Sequence, residues 1–253
     1  MFCPTLVFSK ENWYNSSTTY VSPYGGIIIN TASTIWSGLD WSKLTDILIS
    51  VIPALICITF HELCHGLVAH RLGDNTAKDA GRLTLNPIKH IDILGLAMMA
   101  IVGFGWAKPV PVNMNNFKKP KSGMAITALA GPVSNIILAI VFLFISGLVF
   151  MPLVKAGSAG IVVLDMLLRT AYLSCALAVF NIIPLPPLDG SKVLFALLPD
   201  DQYFKLMYYE RYGMIILMVI VLTGTLTSFL TTGASWVFNG LYFFARLTGA
   251  PAL

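Results

Sequence analysis

The segment HELCHGLVAH, residues 61–70, holds three of the chain's four histidines and one of its three glutamates. His61 and His65 are four positions apart. On a helix their imidazoles project from one face, one turn apart, and can share a metal ion. Glu62 lies one position round from His61 and can reach a water on that ion. In hydrolytic zinc sites, imidazoles and a further protein ligand hold Zn²⁺, and the remaining position is left to water. Zinc brings the pKa of such a water down to about 7, and a neighbouring carboxylate takes its proton as it attacks a carbonyl. The spacing H-E-x-x-H therefore points to metal-assisted hydrolysis, with His61 and His65 as ligands and Glu62 as general base.

The setting of this segment is unusual. It follows fourteen uncharged residues, ILISVIPALICITF at 47–60, and the whole chain of 253 residues is 56% hydrophobic and only 11% charged. Soluble domains carry about 25% charged residues, so the chain reads as a single polytopic membrane domain. His61 precedes Arg71 by ten positions, about 15 Å of helix. A histidine and a glutamate at that depth are costly and functional by default.

A third ligand can be sought by elimination. His70 is nine positions from His61, on the opposite side of the helix. No glutamate occurs between Glu62 and Glu210. Asp74, Asp79, Asp200 and Asp201 sit in polar stretches, and Asp165 has Arg169 four positions on as a partner. His90 and Asp92 flank a short apolar segment and stay open as edge candidates. Asp189 follows a span directly, in NIIPLPPLDG at 181–190. Pro184, Pro186 and Pro187 cannot continue a helix, so the backbone unwinds near membrane depth. Unwound backbone is tolerated there only inside protein or against water.

The elements that must position these residues follow from hydropathy. Spans are expected at 47–70, 124–150, 159–183 and 212–232. The short, glycine-rich run 91–106 is expected to be re-entrant or partial, and the aromatic tail 235–250 to lie at the interface or begin a last span. The fold class is all-α and polytopic, with about four to six transmembrane helices and a short re-entrant or strand-containing segment on the cytoplasmic side. Residues 1–43 read as an extramembrane or interfacial extension without a signal peptide, and 44–253 as the membrane domain. Stretches 71–121 and 192–211 carry eleven of the sixteen lysines and arginines. The positive-inside rule makes them cytoplasmic, which brings HELCH, GPVSN and PPLDG to one membrane layer. Dispersed basic residues speak against nucleic-acid binding. Four single cysteines speak against disulfides.

HELCH in one span, GPVSN (131–135) in the next and NIIPLPPLDG after a third together resemble the site-2 protease family of intramembrane zinc metalloproteases. GRLTLNPIKHID (81–92) and FGWAKPVPVN (104–113) resemble its compact, prokaryotic-type members, without a PDZ or nucleotide-sensing domain. The resemblance covers 47 to about 200. It implies one zinc ion on His61, His65 and Asp189, and Glu62 as general base. It implies that Asn135 and Asn181 lie near the site, contacting the substrate backbone or the developing oxyanion. The substrate implied is a transmembrane or membrane-associated protein segment, cut by a multi-pass enzyme of the lipid bilayer, expected in the plasma membrane with the site towards the cytoplasm. Ile93 stands where compact members usually have proline. A protease must take its substrate extended, and GRLTLN and KPVPVN alternate like strands that could offer an edge to it. Two other classes compete: a metal-ion or proton transporter using a buried His/Asp cluster, and a catalytically silent relative that binds membrane partners.

Overall fold

Helix α1, Trp41–Arg71, has 31 residues, about 46 Å at 1.5 Å per residue. The computed structural model describes residues 2–4, 41–102 and 104–252. Most of the expected extension lies outside the described residues, and its expected boundary at 43/44 falls in the first turn of α1. The helix is stopped by Gly73, whose φ of 108° suits glycine. Gly73 N–H donates to the His70 carbonyl at 3.1 Å and Asp74 N–H to Ala69 at 2.9 Å, which is the Schellman pattern.

After a short helix α2, Thr76–Asp79, and a 3₁₀ turn, Pro87–His90, the chain doubles back on itself through the segment expected to be re-entrant or partial. Helix α3 spans Ile93–Val102 with 10 residues. That is about 15 Å, half the ~30 Å hydrocarbon core. Strand β2, Phe104–Trp106, then brings the chain back. Ala107 bridges Ile91 in antiparallel fashion, and Lys108 N–H donates to the His90 carbonyl at 2.9 Å. Entry and exit are thus side by side. A Cβ on Gly95 of α3 would collide with the Trp106 carbonyl, so helix and strand backbone pack in direct contact. The outer edge of β2 pairs with β1, Phe2–Pro4, in the register Phe2↔Trp106. The strand therefore forms before KPVPVN rather than in it. Pro109 and Pro111 lack the N–H groups a ladder needs. GRLTLN forms no strand either, because its end is drawn into the 3₁₀ turn, where Asn86 Oδ1 accepts from Ile88 N–H.

The remaining helices are α4 (Pro120–Leu148), α5 (Phe150–Lys155), α6 (Ser158–Ile182), α7 (Asp189–Ala196), α8 (Asp200–Leu222), α9 (Thr225–Leu241) and α10 (Phe243–Leu247). Among the described residues, three helices are long and apolar enough to cross a membrane: Ile49–Arg71 of α1, α4 and α6. Helices α8 and α9–α10 form a pair bent by 84°, which makes a fourth span if counted as one. The unbroken span expected at 212–232 is not there. Gly224, at φ 70°, turns the chain, and the hydroxyls of Thr223 and Thr225 bond across the break at 2.8 Å.

Helices α4, α6, α9 and α10 meet over Ala139, Leu143, Ala171, Cys175, Ala234 and Phe238. A second cluster, Phe180, Leu188, Leu217 and Leu230, takes Trp106 against it and so fastens β2 to the bundle. Asp165 and Arg169 pair at 2.9 Å as their spacing implies, and Arg169 also reaches Ser50 of α1 at 3.4 Å. The outer faces expose Ile52, Phe60, Ile137, Val141, Phe144 and Ile161. In water such faces would be an aggregation hazard; on membrane spans they are the lipid side.

Candidate metal centre

Helix α1 carries the motif on two faces. His61 is fully buried and Glu62 only 2% exposed. The imidazoles of His61 and His65 stand edge-on at 4.5 Å and face α4 and the start of α7. Asp189, in the first turn of α7, places Oδ2 3.0 Å from His61 Nε2 and 3.2 Å from His65 Nε2. One ligand atom from each of the three lies within 4.8 Å of the others. The proline-rich turn before α7 does the aiming. A Cβ on Gly190 would strike the carbonyls of Ile182 and Ile183, so the turn packs tightly against the end of α6. The Ser191 hydroxyl donates to the Leu188 carbonyl at 2.6 Å.

Helix α4 fixes the rings from behind. His65 Nδ1 lies 2.7 Å from the Thr127 carbonyl. A carbonyl only accepts, so Nδ1 carries the proton and Nε2 presents its lone pair to the centre. Pro132, inside α4, crowds the turn that bears this carbonyl. His61 Nδ1 lies 3.1 Å from Asn135 Nδ2, while the buried Asn135 Oδ1 has no partner. A half-turn of the amide would let Oδ1 accept from Nδ1–H and give His61 the same tautomer as His65. Gly131 leaves the space between them, since a Cβ there would collide with Nε2 of both histidines. Two imidazole nitrogens and a carboxylate oxygen, converging within 4.8 Å, fit a tetrahedral divalent metal with a position left open.

Glu62 faces elsewhere. Its Oε2 accepts from the Val110 N–H at 2.8 Å, so the re-entrant segment holds this carboxylate. That segment is anchored by Asp74, fully buried just beyond α1. Asp74 accepts from Asn113 N–H at 2.7 Å, Asn116 Nδ2 at 2.7 Å and Thr76 N–H at 3.1 Å. Burial pushes its pKa up, but these bonds outweigh burial and hold it below the ordinary carboxylate value.

Sequence reasoning passed over Gly131, Thr127, Val110 and Asp74. The dipeptide Gly131-Pro132 within a span is a signal for the first two. Nothing local announces the others. Asn181 donates to the Leu177 carbonyl of its own helix at 2.8 Å, so Asn135 is the asparagine seen touching a motif histidine. His70 bonds Asn75 at 2.6 Å, and His90 bonds the Thr84 carbonyl at 3.0 Å. Neither belongs to the group formed by His61, His65 and Asp189.

The peptidase family M50 model matches residues 145–227. A Bacillus subtilis protein named "Putative zinc metalloprotease YwhC" is 43% identical over 177 residues, covering 68% of this chain and 80% of that one. Rip2 of Mycobacterium tuberculosis, named in the same way, is 29% identical over 199 residues, 77% of this chain and 72% of its own. MJ0611 of Methanocaldococcus jannaschii, again so named, is 34% identical over 164 residues, 63% and 75% respectively. No solved structure matches the chain. With 80% of a relative covered at 43% identity, and with membrane-spanning helices carrying the motif, the chain belongs to peptidase family M50, the site-2 protease family, and is a multi-pass membrane metalloprotease.

Proposed function

We propose that this chain is an intramembrane zinc endopeptidase that cuts peptide bonds within or near transmembrane segments of other membrane proteins. The observation that carries the reading is the convergence of His61, His65 and Asp189 within 4.8 Å, inside a span, beside a buried glutamate held by a backbone amide. These three residues would hold one zinc ion, which supplies the Lewis acidity that makes water nucleophilic near neutral pH. Glu62 accepts the proton of the attacking water and returns it to the leaving amine. The Val110 amide keeps the carboxylate aimed. Asn135, expected as a backbone or oxyanion donor, is assigned instead to holding His61. Helix α1 and the bundle exclude bulk water, which strengthens each of these interactions. The lysine-rich stretch 118–121 and its neighbours support a site towards the cytoplasmic face, and the membrane proposed is the plasma membrane.

The test pairs wild type with Glu62→Gln, co-expressed with candidate single-span proteins, and measures zinc content and cleavage. Both forms should bind one zinc per chain, and only wild type should cleave. Cleavage surviving in the variant overturns the role of Glu62. Zinc without cleavage of any substrate supports a transporter or a silent relative instead.

A further inference from the structure

A partly open cavity of about 60 Å³ lies between α1 and the re-entrant segment. Its α1 wall includes Val51, Ala54, Leu55, Ile58 and Thr59, and its far wall includes Leu96 of α3 and Gly105–Ala107. Two relations tie it to the catalytic machinery. Ile58 and Thr59 precede Glu62 by four and three positions, so they lie on the same helix face, one turn below the general base. Ala107 precedes Val110 by three positions, and the Val110 amide holds Glu62 at 2.8 Å. Cavity and carboxylate thus lie between the same two chain segments. The side chains of its α1 wall are apolar apart from Thr59, and the Thr59 hydroxyl is buried without a partner.

We infer that this cavity is a specificity pocket, taking one small aliphatic side chain of the substrate next to the bond that is cut. The inference rests on the reading of the site as a zinc peptidase. Size selects the occupant. A cavity of about 150 Å³ takes benzene, so 60 Å³ takes a short aliphatic branch and refuses a ring. Asp92 also lines the far wall, so a carboxylate side chain would enter unpaired and repelled.

The test measures binding of three peptide hydroxamates to the purified, zinc-loaded full chain in detergent. They are identical except for one side chain: methyl, isobutyl or benzyl. Wild type should bind the isobutyl compound at least about tenfold tighter than the benzyl compound, the scale on which one well-fitted apolar group discriminates. Ala54→Leu, which fills the cavity, should lose the isobutyl compound about tenfold and leave the methyl compound and zinc content unchanged. Leu55→Ala, which enlarges it, should gain the benzyl compound. This second variant decides the matter if Ala54→Leu does not fold. Equal affinities across the series in wild type, or variants that leave the order unchanged, overturn the pocket while the zinc reading stands. Competition by detergent or phospholipid at the isobutyl-selective site alone assigns the cavity to lipid and overturns it too. If no hydroxamate binds a chain that carries zinc, the peptidase reading falls and the pocket falls with it.

Discussion

At the scale of single residues, the centre depends on groups that would touch no metal. Asn135, turned by half, would select the tautomer of His61, as the Thr127 carbonyl does for His65 at 2.7 Å. Asn135→Leu should weaken zinc binding about 10- to 100-fold, read by chelator competition. Asn135→Asp, which keeps an acceptor at Nδ1–H, should stay within a few-fold of wild type. Val110→Pro removes the one amide bonded to Glu62 Oε2. It should lower kcat about 10- to 100-fold with zinc content unchanged, because it releases the base and leaves the ligands alone. The three residues proposed as ligands stood out in the sequence, and the structure brings them together. His61 and His65 share a helical face by spacing, and Asp189 follows a run of prolines that unwinds a span. Asn135 was legible as a residue near the site, but its contact with His61 was not, since that partner sits on another helix 74 positions away.

At the scale of elements, the Schellman end of α1 and the buried Asp74 join the motif helix to the segment that holds its glutamate. Asp74→Asn should cost about 2 kcal/mol, because a charged acceptor of several bonds is lost. Thermal unfolding would read it, with a larger fall in activity than in zinc content. The pH dependence has a definite sign. The folded-state pKa lies below the ordinary value of 3.8. The stability Asp74 contributes is therefore fully present above pH 3.8 and is lost as pH falls through its lowered value. The gap in stability between wild type and Asp74→Asn should stay constant from pH 7 to about pH 4 and close only in stronger acid. Two elements were not legible. The strand sits at Phe104–Trp106 because the prolines of KPVPVN forbid a ladder there. The 84° bend near Gly224 hides in an apolar run that hydropathy reads as continuous.

At the scale of the molecule, the apolar spans and the basic stretches predict orientation. Cysteine introduced at Lys118 should be shielded from a membrane-impermeant maleimide in intact cells and react once the cells are opened. Labelling of intact cells at that position would reverse the topology and move the site to the outer face. Cysteine at the exposed Trp236 provides a position on the bent helix pair for comparison. The order of the three long spans was readable from hydropathy alone, while the fourth expected span is a bent pair. How α4, α6 and α9 interlock over Ala139, Ala171 and Ala234 was not, since small residues mark close approach without naming the partner.

Gly131 shows that part of the site is made by what a residue lacks. Any side chain there would occupy the space that Nε2 of both histidines needs. In a saturation-mutagenesis screen, position 131 should therefore be as intolerant as His61 or His65, with alanine no better than tryptophan. Such a profile usually marks a reacting group, yet glycine offers none. In this enzyme an inheritable requirement and a chemical one part company at residue 131.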